Sequence, residues 1–285
     1  MVRSGGDLKP MRVRDTAFEW GTRTYVMGIV NVTDDSFSGD GITEPDAVSA
    51  YALEQWRAGS DILDFGGQST RPGHQPVDAA IERQRVVPAI AAARKALPNV
   101  AISVDTFDVS VLRAAREAGA DIVNCVWGAP PEILEAAAEL EMPLVIMHNQ
   151  HGTHYEGSVV FAVLSYLEKC AGRAVRSGFA RERIVLDPGI GFGKTAEHNL
   201  EVLAALPRLV ALGFPTLIGA SRKSTIGKLT GRAPQDRVYG TVAICALAIG
   251  AGVDVVRVHD VAAARDAVSV CDAVVRKWRP AEWTG

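Results

Sequence analysis

The chain has 285 residues, of which 48% are hydrophobic and 22% charged, with 30 basic side chains against 33 acidic ones and a formal net charge of -3. That mix is ordinary for a globular protein able to bury a large core, and it excludes a general nucleic-acid or membrane-surface binder. No apolar run reaches the roughly 18 residues that would span a bilayer. The first 20 residues are too polar for a secretory signal, and Cys125, Cys170, Cys245 and Cys271 contain no CxxC pair, so buried reduced thiols in a cytoplasmic enzyme are expected.

The first 20 residues read as a short hairpin or arm, followed by an apolar run at 25–30 and a polar connection over 31–41. A helical pattern at 47–58 leads to a second apolar run at 62–65, a second long connection at 66–76 and a helix at 79–96. Strand-like runs then recur at 100–104, 122–124, 143–147, 184–186, 216–219 and 253–258, with further helical patterns at 109–118, 132–140 and 197–212. Gly59, Gly119, Gly178, Gly213 and Gly252 each close a helical run ahead of a strand. The phrase Ala-Gly-Ala/Ser/Val-Asp occurs at 58–61, 118–121 and 251–254, marking αβ junctions on one face. Eight βα units without a long linker predict a single-domain (β/α)8 barrel. An open doubly wound sheet is the alternative.

The polar residues are placed at strand ends. Asn31, Asp64, Asp105, Asn124, His148, Asp187, Ser221, Arg222, Lys223, Arg257 and His259 all lie at or just beyond an apolar run. A barrel gathers such ends into one mouth. Each has a plainer reading. Asp64, followed by Gly66 and Gly67, is read first as an acceptor for loop amides, and Asp105 and Asp187 could be turn caps. His151 and His154 beside His148 are read as surface residues, in preference to a zinc cluster. Taken together, two aspartates and an asparagine at three strand ends favour a shared ligand. Carboxylates and an amide suit the N–H/NH₂ edge of a flat nitrogen heterocycle. Arg71, Lys223, Arg257 and His259 suit a phosphate or diphosphate at the other end of that ligand. Gly189 to Gly193 lack dinucleotide-fingerprint spacing, and the stretch around Lys223 is not a P-loop.

These residues carry a resemblance. Met27-Gly-Ile-Val-Asn-Val-Thr-Asp-Asp-Ser-Phe-Ser38, Asp64-Phe-Gly-Gly-Gln-Ser-Thr-Arg-Pro-Gly73, Ser103-Val-Asp-Thr106, Ile122-Val-Asn124, Met147-His148, Asp187-Pro-Gly-Ile-Gly-Phe-Gly-Lys194, Ser221-Arg-Lys-Ser224 and Arg257-Val-His-Asp260 resemble, in order, the signatures of the dihydropteroate synthase family. The resemblance implies an N-terminal extension over 1–20 and a pterin-binding barrel over 21–285. It implies condensation of (7,8-dihydropterin-6-yl)methyl diphosphate with 4-aminobenzoate, giving 7,8-dihydropteroate and diphosphate. Asp105, Asn124, Asp187 and Lys223 would hold the pterin, and Met147 and Gly219 would wall its slot. Asn31, Arg257 and His259 would take the diphosphate, with Asn31 near its Mg²⁺. Thr70 and Arg71 would belong to a mobile loop, and Ser224 would help place the aminobenzoate carboxylate. Asp105, Lys223, Arg257 and His259 are the implied catalytic set, and a homodimer, with the segment 261–275 apolar enough to contribute, is expected. No nucleic-acid or membrane partner is implied. Asp34, the run Gly39-Asp40-Gly41, Gln68, Cys125 and Trp127 depart from the usual pattern. Cys125 stands where aspartate is usual, which is expected to remove a carboxylate near the pterin edge, and Trp127 is expected to alter the slot's lower wall. A pterin-binding paralogue without catalysis, or a folate-dependent methyltransferase on the same barrel, are the rival readings.

Overall fold

A computed structural model describes residues 8–33, 44–68, 77–280 and 283. An antiparallel hairpin of β1 (Met11–Val13) and β2 (Thr16–Phe18) comes first, with Arg14 in a left-handed conformation at its turn. Then β3 (Tyr25–Asn31), α1 (Pro45–Arg57), β4 (Ile62–Gly66), α2 (Ala79–Ala96), β5 (Ala101–Asp105), α3 (Val109–Ala118), β6 (Ile122–Cys125), α4 (Pro131–Glu139), β7 (Leu144–Met147) and α5 (Val159–Arg176) alternate. The chain ends through β8 (Ile184–Asp187), α6 (Ala196–Ala204), α7 (Leu206–Val210), β9 (Leu217–Ile218), α8 (Ser224–Thr230), α9 (Val238–Gly250), β10 (Val255–Val258) and α10 (Val261–Val275).

The strands form one parallel sheet in the order β8-β7-β6-β5-β4-β3-β10-β9, and a bridge between Leu186 and Thr216 brings its two edges together as a (β/α)8 barrel. The last seam is thin for a physical reason. Thr216, expected within the seventh barrel strand, gives its N–H to the Asp254 carboxylate at 2.9 Å instead of to a ladder, so β9 is two residues long. The helical pattern at 197–212 divides at Ala205, because Pro207 carries no N–H to continue the hydrogen-bond series. Helix starts follow local chemistry: Asp108 Oδ1 accepts from Ser110 and Val111 N, and Thr195 and His198 form a reciprocal cap. The five glycines expected as helix stops all have positive φ, between 78° and 115°.

The strand period of two residues sorts the side chains into layers. Met27, Ile62, Ala101, Ile122, Val145, Val185, Leu217 and Val255, near the starts of the eight strands, point inward and form one apolar floor. The hairpin closes that floor from below with Met11, Val13, Phe18 and Trp20. Odd-stepped neighbours such as Leu63, Ile102, Val104, Val123, Ile146 and Leu186 point outward into the helix layer. The repeated Asp of the Ala-Gly-x-Asp phrase works at the strand starts. Asp61, Asp121 and Asp254 accept the backbone N–H of Val26, Ile102 and Thr216 at 2.8, 3.1 and 2.9 Å, so each ties its own strand to a neighbour. Arg14 and Arg94 neutralise Asp121, and Arg23 and Arg265 neutralise Asp61.

Candidate active site

Continuing inward-facing parity above the floor builds the site. Two residues beyond their floor residues stand Asp64, Asn124, Met147, Asp187, Gly219 and Arg257; four beyond stand Asn31 and Asp105. Lys223, Ser224 and His259 follow in the turns after β9 and β10. The barrel mouth therefore collects the expected set except Thr70 and Arg71, which lie outside the described residues, as do Asp34 and 39–41.

Among the described residues, the wholly buried Asp64 serves side chains, not the loop amides that its glycine-rich context suggests. It accepts Arg257 Nε at 2.6 Å and Asn124 Nδ2 at 3.0 Å, an anchor for two side chains from opposite parts of the chain. Arg257 Nη2 also donates to Asp105 Oδ2 at 3.1 Å. Burial opposes the Arg257 charge, but Asp64 and Asp105 outweigh it and hold the guanidinium above its ordinary pKa. Asp105 is pushed up to about 7, chiefly by burial, with Arg257 opposing and Asp64 and Glu82 reinforcing the rise. Burial also raises Asp187 to about 6, against the hydrogen bond it accepts from Gly189 N at 2.8 Å. Lys223 is lowered to about 8 by burial and by Arg257. Its Nζ lies 3.9 Å from the centre of the Phe192 ring. Oδ1 of Asp64, Oδ1 of Asp105 and Oγ of Ser103 are buried without a partner among the described residues, so acceptor capacity is concentrated where the inner layer opens.

The walls are apolar. Met147 packs with Val126 and Phe192, and an alanine at Gly219 would lie 3.7 Å from Asp187 Oδ2 and 4.0 Å from Arg257 Cβ, inside the slot. On the rim, His259 N donates to Ser221 Oγ at 3.1 Å and its Nδ1 lies 3.0 Å from the same hydroxyl, Asn31 ends β3 half-buried, and Ser224 opens α8 exposed. His148 Nδ1 is 2.9 Å from Lys194 Nζ. No group of three or more His, Cys, Asp or Glu side chains is arranged to hold a metal among the described residues. Sequence reasoning missed three contributors. Phe192 gave no signal beyond its place after Asp187, and Lys194 lies at the end of the same loop. Glu82 on α2, buried and raised by that burial to about 7, gave none beyond following the second connection.

Residues 27–259 match the family of pterin-binding enzymes. Over 282 residues the chain is 45% identical to the dihydropteroate synthase of Synechocystis sp., covering 95% of this chain and 96% of that protein. The chain belongs to the dihydropteroate synthase family. Among solved structures, the dihydropteroate synthase of Xanthomonas albilineans with 4-aminobenzoic acid superposes with a TM-score of 0.85 at 42% identity, covering 93% of this chain and 96% of that one. The dihydropteroate synthase of Yersinia pestis in a sulfonamide drug complex gives 0.88 at 36% identity, covering 93% and 98%.

Where this chain departs from the usual dihydropteroate synthase pattern, the structure corrects two expectations. Cys125 has the outward parity of Val123 and lies in the helix-facing core, so its thiol is not at the inner edge and no inner carboxylate is missing on its account. Trp127 meets His151 with ring centres 4.8 Å apart and planes tilted by 38°, beside the Met147 cluster, after the end of β6 and therefore on the rim, not in a lower wall. Gln68 accepts Val77 N at 2.8 Å, which draws together the two ends of the connection between them.

Proposed function

We propose that this chain condenses (7,8-dihydropterin-6-yl)methyl diphosphate with 4-aminobenzoate, releasing diphosphate and forming 7,8-dihydropteroate. The observation that carries the reading is the inner layer itself. Two buried carboxylates and an amide, with acceptor oxygens uncommitted, stand beside a fixed guanidinium and an ammonium in one mouth. Asn124 gives its Nδ2 to Asp64 and so keeps Oδ1 as an acceptor for a ring N–H. Asp105 and Asp187 accept ring N–H groups when ionised, and Lys223 donates to a ring acceptor. Arg257 commits Nε and Nη2 below, which leaves Nη1 for an oxyanion, and His259 and Asn31 add rim donors.

Asn31 offers one neutral amide oxygen, a donor set that fits a Mg²⁺ ligated mainly by diphosphate and water. Bound there, the ion would supply charge neutralisation for the leaving diphosphate. Arg257 and His259 stabilise the same developing charge. As the diphosphate departs, the methylene carbon becomes cationic and conjugated with the pterin, and the field of an ionised Asp105 favours that charge. The neutral aryl amine then attacks the carbon and sheds its proton afterwards, so no strong base is required. Thr70, Arg71 and Ser224 are assigned to the aminobenzoate side. The proposed catalytic set is Asp105, Lys223, Arg257 and His259. The outward position of Cys125 removes one of the two sequence arguments for a non-catalytic paralogue; the other, the altered first connection, lies outside the described residues.

No helix among the described residues is long and apolar enough to cross a membrane. A cytoplasmic location and small-molecule substrates alone, with no nucleic acid, complete the reading. A homodimer is proposed through α9 and α10, where Tyr239, Leu247, Val270 and Val274 are 82%, 70%, 67% and 77% exposed. The deciding assay measures diphosphate release with each substrate singly and together, with and without Mg²⁺. Release that depends on both substrates supports the synthase; no release with both substrates and the ion present overturns it.

A further inference from the structure

We propose that Lys194 is a positioning residue for the pterin end of this site, acting through the loop from Asp187 to itself. The inference rests on the synthase reading and extends it to a residue that does not reach the slot. Lys194 is buried, and its amine meets three acceptors: His148 Nδ1 at 2.9 Å, Gly189 O at 3.0 Å and Phe192 O at 3.0 Å. Burial lowers Lys194 to about 7, so below that pH the amine is an ammonium whose three N–H donors saturate the set.

Each of those bonds fixes something the reaction uses. Gly189 N donates to Asp187 Oδ1, so holding the Gly189 carbonyl fixes the residue whose N–H supports the Asp187 carboxylate. Holding the Phe192 carbonyl fixes the residue whose ring lies under the Lys223 amine. Between them, Gly191 has no side chain, and a Cβ there would lie 3.0 Å from Lys223 Cδ, so the loop backbone also bears on the Lys223 stem. The loop has little freedom to compensate. A Cβ on Gly189 would sit 2.0 Å from His148 O, and Gly191 N is held by Asn199 Oδ1 at 2.8 Å. His148 is itself buried between the rings of Tyr155 and Tyr166, and burial and Lys194 keep it neutral. With Nδ1 accepting from Lys194, the neutral ring must carry its proton on Nε2. Arg257 and Asp64 form a separate anchor across the mouth, so the diphosphate end does not depend on this loop.

Lys194→Met keeps most of the unbranched stem and removes all three donors. Binding of the pterin alcohol, which lacks diphosphate, is expected to weaken by roughly tenfold or more, the scale of a lost buried hydrogen bond. The inhibition constant of inorganic diphosphate is expected to stay unchanged. Unchanged pterin-alcohol affinity in the folded variant, or equal loss for both probes, overturns the proposal. If the variant does not fold, nitrogen NMR of His148 in the wild type decides: an unprotonated Nδ1 supports the arrangement and a protonated Nδ1 overturns it. Wild-type protein that fails to bind the pterin alcohol at all refutes the synthase reading instead, which keeps the two failures apart.

Discussion

Asp105 and Asp187 hold protons to higher pH than free carboxylic acids because burial removes the water that would stabilise their charge. A pterin edge supplies N–H groups in place of that water and favours the ionised forms. Protons must therefore leave when the ring binds below about 6 to 7, the values of the two free carboxyls. Affinity for the pterin alcohol is expected to rise with pH from about 5 to about 7 and then level, steepening to at most about tenfold per pH unit for each proton displaced. Stability of the unliganded protein should run the other way. A carboxyl whose folded pKa exceeds its unfolded one stabilises below the unfolded value, and that stabilisation is lost as pH rises through the folded value. Asp105, Asp187 and Glu82 all shift in this direction; buried His148, lowered to about 3, acts oppositely over part of the same range but is one group against three, so the midpoint of thermal unfolding should fall between about pH 4 and pH 7. Calorimetric titrations and melts across that range measure both slopes, and a pterin affinity that weakens with rising pH contradicts the assigned roles. Much of this layer was legible in the residue order. Asp105, Asn124, Asp187 and Arg257 each end an apolar run, and their residue types already suggest the chemistry. Asp64 and Cys125 were misread for want of parity. Counted from the floor, Asp64 is inward and Cys125 outward, but the floor is defined only once all eight strands are superposed.

At the level of elements, the turns after β9 and β10 are stapled together. Arg222, between Ser221 and Lys223, forms a bidentate pair with Asp260, which follows His259, at 3.0 and 2.6 Å. Its φ is 55°, a left-handed conformation that a non-glycine residue adopts at a cost. The surroundings enforce it: Arg222 N donates to Thr241 Oγ1 at 3.0 Å, and Arg237 Nη1 donates to Arg222 O at 3.0 Å. Lys223 and His259 thus take their positions from one ion pair and one hydroxyl contact, Ser221 to His259. Asp260→Asn keeps an acceptor but removes the charge and the two-oxygen fork. Roughly 1–2 kcal/mol of unfolding free energy should be lost. Turnover should fall by about 10- to 100-fold, a larger effect than the stability loss implies, because displacing a catalytic group by about 1 Å is costly. Steady-state kinetics beside chemical denaturation make the comparison, and unimpaired turnover in a destabilised protein removes the staple from catalysis. Neither the pairing nor the positive φ was readable from Ser221 to Ser224, since both depend on Thr241, Arg237 and Asp260 arriving from elsewhere in the fold. The short β9 escaped for the same reason: Thr216 looks like strand, and only the buried Asp254 diverts its N–H.

For the whole molecule, the barrel has an apolar floor sealed by its own N-terminal hairpin and a polar mouth, so chemistry is confined to one end. The helix layer is uneven in its outward chemistry. α9 is apolar nearly all round, unlike α3 with its clear two-faced pattern, and a helix of that kind is normally covered. Its inner side packs against Val26, Val256 and Val258 through Cys245 and Ile249, while Tyr239 and Leu247 of α9 and Val270 and Val274 of the α10 packed against it remain exposed. Adjacent exposed apolar residues on two packed helices suit a self-complementary two-fold contact, in which each patch covers its copy. Tyr239→Glu combined with Val274→Glu places like charges opposite one another across such a contact. Light scattering after size separation should show the wild type at twice the chain mass and the double variant at the single-chain mass, and the variant should retain turnover. A wild type that is monomeric at micromolar concentration refutes the dimer, and a double variant that stays dimeric moves the contact to another face.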